Sequence, residues 1–150
     1  MENLFNQKDY EAILLRFSSI TTQSERLWGK MEVNQMVVHV KDQLDIALGN
    51  KPAKPQGLVI LRTIIGRWLA LYIIPWRKGK EATPMEMDTL KNSIIFTDFE
   101  NDKNLLILRI KEFIAAPGFA PHPFFGKISN KDWGRLAWKH INHHLWQFGA

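Results

Sequence analysis

Apolar residues recur at three- and four-residue steps along most of the chain, the period of helices that bury one face. From about Asn6 to Ser18, Tyr10, Ile13, Leu14 and Phe17 share a face and Asn6 and Asp9 suit a first turn, which predicts a short first helix. A polar, hydroxyl-rich connection closes with Trp28, Gly29 and Met31. The next stripe, Val33, Met36, Val37, Val40, Leu44 and Ala47, predicts a helix from about Val33 to Leu48 that ends at a left-handed cap, Gly49-Asn50. Two prolines in KPAKPQG then predict a stiff extended loop.

The most apolar run is Gly57 to Trp76. Arg62 and Arg67 lie in its middle, and each arginine at a bilayer centre costs at least about 2.5 to 3.5 kcal/mol, so the run is read as amphipathic and not as a membrane span. On a helical wheel Arg62, Thr63, Gly66, Arg67 and Ala70 form a polar arc of about 140°, with Leu58, Leu61, Ile65, Trp68, Leu69 and Tyr72 around the remainder. Pro75 ends this helix, and a long polar loop follows to Ser93. Thr97 or Asp98 caps the next helix, whose expected core residues are Phe99, Leu105, Leu106, Leu108, Ile110, Phe113 and Ile114, and Pro117-Gly118 stops it. No convincing alternating strand appears, the β-rich pieces at 37–40 and 93–96 being absorbed into helices or loops. The expected fold is all-α: one domain over residues 1–150, a bundle of four principal helices with a short first one.

The last helix, from the Ser129 cap to the Gly149 stop, carries three of the five histidines. Its inward stripe is Trp133, Leu136, Ala137, His140, Ile141, His144, Leu145 and Phe148. His140 and His144 lie one turn apart on one face and can share a metal ion; His143, about 60° round the wheel from His140, belongs at the edge of the stripe. A third ligand is needed, and the other helical histidine is His39, bordering its stripe beside Met36 and Gln43. Periodicity leaves two readings open: a metal site, or hydrogen-bonded core histidines with His39 exposed. His122 is bracketed by two prolines and followed by two phenylalanines, which suits either a pocket wall or a hydrogen-bonding strut. Trp28 is either a lid on the site or, the better-weighted role, an aromatic plug at the bundle end.

Composition narrows the chemistry. With no cysteine, the chain has no disulfide, no thiolate nucleophile and no Cys-based zinc site, leaving imidazole and carboxylate as the strong metal ligands. The start of the chain lacks the features of a signal peptide, so a cytoplasmic location is expected. The net charge of +5 comes from scattered lysines and arginines not interleaved with aromatics, which argues against a nucleic-acid partner.

Three pieces, WGKM at 28–31, HPFFG at 122–126 and WGRLAWKHINHHLWQFG at 133–149, closely resemble the family catalogued as domain of unknown function 1569, a branch of the DinB/YfiT-like superfamily. The likeness runs from about Leu27 to the C-terminus. It implies a four-helix bundle of DinB/YfiT type, in which one histidine of the second helix and an HxxxH pair of the last hold a divalent metal, here His39, His140 and His144. Relatives use the metal with a low-molecular-weight thiol or an electrophile, in transferases and isomerases. The helix at 58–76 is an addition to the superfamily pattern.

The expectation is a divalent-metal-dependent enzyme, the metal zinc or nickel, with open coordination positions and a small-molecule or thiol substrate. His122 or His143 are the candidate general acid or base. The alternative is a non-catalytic binding or dimerisation module using the apolar 58–76 helix; attachment of that helix to a membrane surface ranks last.

Overall fold

Most helices begin where a side chain takes up their first amide groups. Asn6 accepts from Lys8 N, Thr63 from Gly66 N, Asp98 from Asn101 N and Ser129 from Asp132 N, satisfying donors that have no partner inside the helix. The computed structural model describes residues 1–78, 85–90 and 98–150. Among the described residues it is all-helical, with five α-helices and no strand: α1 (Gln7–Ser18), α2 (Val33–Ala47), α3 (Ile64–Trp68), α4 (Phe99–Ala115) and α5 (Asn130–Gln147). The expected stretch at 93–96 and the expected cap Thr97 lie outside the described residues; Asp98 is the cap observed. No helix among the described residues is long and apolar enough to cross a membrane.

The central helix is α2, which packs against both α4 and α5, while α1 lies on α5. Its predicted stripe is buried, and so are Val38, His39, Asp42, Gln43, Asp45 and Ile46, because neighbours cover it on more than one side. The expected C-cap forms, with Gly49 at φ +78°. The N-terminal strand of chain crosses α5 closely enough for Leu4 N–H to bond Gly134 O at 3.1 Å. A Cβ at Gly134 would lie 2.2 Å from Asn3 Oδ1 and 2.4 Å from the Phe5 ring, so the glycine lets both side chains lie against the helix.

Two expectations fail. On α4, Leu105 and Leu108 are exposed, and the core face is Phe99, Leu106, Ile110 and Phe113; with apolar residues on most sides, the stripe that α2 covers decides which are buried. The run 58–76 is not one helix. It forms a 3-10 turn at Val59–Arg62, breaks at Thr63 (ψ 158°), resumes as α3 and ends in a π turn at Leu69–Ile73. Its predicted faces hold only in part: Leu61 and Tyr72 pack on the core and Arg62 and Thr63 are exposed, but Gly66 is buried and Ala70 packs on the core, while Ile64, Ile65 and Trp68 are exposed.

The departure has a local cause. Arg67 Nη1–H donates to Lys127 O at 2.6 Å and Arg62 to Pro123 O at 3.4 Å, so backbone carbonyls turn the Gly66, Arg67 and Ala70 side of the segment towards the protein. Residues of α5 grip the far end: Tyr72 O–H donates to Asp132 Oδ1 at 2.6 Å, and Lys139 Nζ donates to Ala70 O and Ile74 O at 3.0 and 2.7 Å. Burial and the Asp132 carboxylate push the Tyr72 phenol up to about 12, so it remains a donor. Ile74 N–H bonds Leu69 O, closing the wider turn.

At Gly66 a Cβ would stand 2.0 Å from the Ile60 carbonyl oxygen, a backbone atom fixed by the preceding turn. Gly66→Ala should therefore destabilise by about 2 kcal/mol despite the higher helix propensity of alanine. Urea denaturation checks this, and an alanine variant as stable as the parent would show that the break at Thr63 is soft.

Candidate metal centre

Three imidazoles converge where α2 faces α5. His39, His140 and His144 are 3, 5 and 6 % exposed, and each offers a ring nitrogen within 4.8 Å of the others. His39 Nε2 lies 2.9 Å from His140 Nε2, and ring centroids in the triad are 4.6 to 4.8 Å apart. The reading that left His39 exposed does not hold, since α5 and the 85–87 turn cover it. The one-turn spacing within α5 and the packing of α2 on α5 bring the group together.

The protons on two of these rings are dictated by their partners. His39 Nδ1 is 2.8 Å from Met87 O, a carbonyl that can only accept, so Nδ1 carries the hydrogen and Nε2 is a bare lone pair. Gln147 Nε2 donates to Trp28 O at 2.8 Å, which turns Gln147 Oε1 towards His144 Nδ1 at 2.9 Å. His144 thus also donates from Nδ1 and presents Nε2. These are the outer partners expected of metal-binding histidines. His140 differs, its Nδ1 being buried without a partner among the described residues.

The supports are themselves held. The Met85–Met87 turn is tied to the proline loop, Glu86 accepting from Lys54 N and Gln56 Nε2 while Met85 N–H donates to Gln56 Oε1. Neither Met87 O nor Gln147 was found from sequence. A backbone carbonyl leaves no residue signature, whereas Gln147, three residues after His144 on the same helix face, was legible in principle.

The triad opens on a cavity of about 600 Å³ lined by Trp28, Trp76, Phe124, Phe125 and Leu136 among others. Trp76 meets His140 and His143 edge-on at 5.8 and 5.6 Å. Trp28 lines the cavity and packs against Trp146 and His143, combining the wall and plug roles. His143 is buried at the edge of the stripe, its ring 5.3 Å from that of His144, and it is not a member of the ligand cluster. His122 also lines the cavity outside the cluster, its Nδ1 accepting from Phe124 N and Phe125 N at 3.1 and 3.3 Å.

Burial drives His140 and His144 well below the ordinary histidine range, with repulsion from neighbouring imidazoles adding to it. It also lowers His39, against the pull of the Met87 carbonyl, and brings His122 down to about 3. All four are neutral at pH 7. Unfolded, each takes up a proton near pH 6.5, so below that pH the unfolded chain binds more protons than the fold. Stability is complete above about pH 7 and falls on acidification through 6.5, by about 1.4 kcal/mol per pH unit for each ring that stays neutral. The urea midpoint of metal-free protein should drop steeply between about pH 7 and 5, and a flat midpoint would contradict the burial of these rings.

Comparison with curated proteins and with solved structures gives no match. A family model covers nearly the whole of the chain, both helices of the triad and the HPFFG loop included. Its description is "Protein of unknown function (DUF1569)", it matches residues 4–150, and the chain belongs to that family.

Proposed function

We propose that the protein is a divalent-metal-dependent enzyme with His39, His140 and His144 as its metal ligands, on a four-helix bundle of DinB/YfiT type working in the cytoplasm. One observation carries the reading. His39 and His144 direct two unprotonated Nε2 atoms at the point where His140 Nε2 also lies, and a single shared proton cannot satisfy that set as a cation can. Three neutral nitrogen donors suit zinc or nickel and leave coordination positions for a substrate facing the cavity. An ion held there supplies Lewis acidity towards an oxygen or sulfur group of the substrate. The chain has no thiol of its own, so a thiol nucleophile would be a cosubstrate.

The other residues have distinct tasks. Gln147 and the Met87 carbonyl hold two ligand rings in one tautomer; Trp76 and Phe124 exclude water. His143, at the cavity edge, is the remaining candidate for proton transfer.

Protein purified without a nickel column should carry about one ion per chain. His144→Ala should lose it, and Gln147→Leu should weaken zinc binding by about 10- to 100-fold. Zinc at 100 times its dissociation constant should stabilise the fold by about 2.7 kcal/mol. Full metal occupancy in His144→Ala would remove the proposal.

A second reading, a homodimer through the 58–74 segment, is favoured by the exposure of Ile64, Ile65 and Trp68, each more than half accessible. Light scattering should then show a dimer that Trp68→Glu converts to monomer with metal absent; a monomeric parent excludes it.

A further inference from the structure

We infer that the ligand taken by this cavity is a small organic carboxylate with an apolar body, its acidic oxygens accepting a hydrogen bond from His122 Nε2–H. The inference rests on the metal-site reading for one of its arguments, the charge of the bound ion; the others stand on the cavity alone.

The first argument is His122. Two backbone amides, Phe124 N and Phe125 N, donate to its Nδ1, so the ring proton sits on Nε2. The ring is clamped, stacked on Phe125 at 4.8 Å and edge-on to Trp133 at 5.1 Å. Nε2–H has no acceptor among the described residues and is not among the occluded polar atoms, so it opens into the cavity that the residue lines. The HPFFG loop therefore builds a neutral donor of one tautomer. That is a device for recognising an acceptor atom.

Charge selects an anion over a neutral carbonyl. Among the described residues, Lys30 and Lys78 border the cavity against one carboxylate, Asp88, and Lys78 Nζ lies over Trp28 and Trp146 at 4.8 and 4.5 Å. The triad contains no carboxylate, so a divalent ion held by three neutral imidazoles keeps its full charge in apolar surroundings. An anion completes it. The volume of about 600 Å³ and the walls of Leu61, Trp76, Phe124 and Leu136 call for a flat or branched apolar body larger than acetate.

Benzoate and its neutral isostere benzamide are the probes, titrated by calorimetry into zinc-loaded and metal-free protein. Benzoate should bind the zinc form at least tenfold more tightly than benzamide, and the preference should persist, at lower affinity, without zinc. His122→Asn places a carbonyl oxygen where Nδ1 was, keeping the acceptor for the two amides while deleting the outer donor. It should weaken benzoate about tenfold in both forms. In the wild type, the His122 Nε2–H resonance should persist at neutral pH and move downfield on adding benzoate. Equal affinity for the two probes, no binding of benzoate, or wild-type affinity in His122→Asn would overturn the inference, and if zinc still binds the metal reading survives. A protein that takes no zinc but prefers benzoate through His122 would overturn the metal reading and leave this one standing.

Discussion

Three imidazole nitrogens share a space under 5 Å across in an interior too dry to charge them. Proton accounting within that space is the constraint on which the rest depends. Met87 O and Gln147 Oε1 each claim an Nδ1 proton, so His39 and His144 arrive as lone pairs. Without a cation, His140 can donate from Nε2 to His39, and its buried Nδ1 is then an acceptor with nothing to accept. A lost hydrogen bond of this kind costs about 1–3 kcal/mol. A cation held by all three Nε2 lone pairs would leave the His140 proton on Nδ1, which has no acceptor among the described residues.

The second layer of contacts makes the site inseparable from the fold. Gln147 joins His144 to the Trp28 carbonyl, and Glu86 and Gln56 join the Met87 carbonyl to the proline loop after α2. The connections thus set ring tautomers while the helices set ring positions.

The helix positions and the triad were legible because both depend on local period: caps at Asn6, Asp98 and Ser129, a stop at Gly49, an HxxxH step on α5. The packing of α2 on α5 supplied the third histidine, and the family likeness had named it in advance. What was not legible depends on partners distant in sequence. The 58–74 run carries apolar residues on most of its circumference, so a wheel drawn for a straight helix cannot say which side is covered. The outcome was decided by carbonyls at Pro123 and Lys127 and by Asp132 and Lys139, none of which lies in that run. Leu105 and Leu108 were misassigned for the same reason. Apolar character predicts burial only where a neighbour exists to provide it.

These failures and the site are connected through α5. One side of that helix carries His140, His144 and Gln147 towards the cavity floor; another carries Arg135 and Lys139, which hold the 70–74 backbone, and Asp132, which accepts from the Tyr72 hydroxyl. That grip determines where the chain leaves the π turn, and so where Trp76 stands over the imidazoles. Turning the Gly66, Arg67 and Ala70 side inward leaves Ile64, Ile65 and Trp68 in water, an arrangement that burial of apolar area alone would not select. The bonds of Arg67 and Lys139 to backbone carbonyls, and of Tyr72 to Asp132, instead hold the segment that leads to Trp76 against the helix whose histidines form the cavity floor.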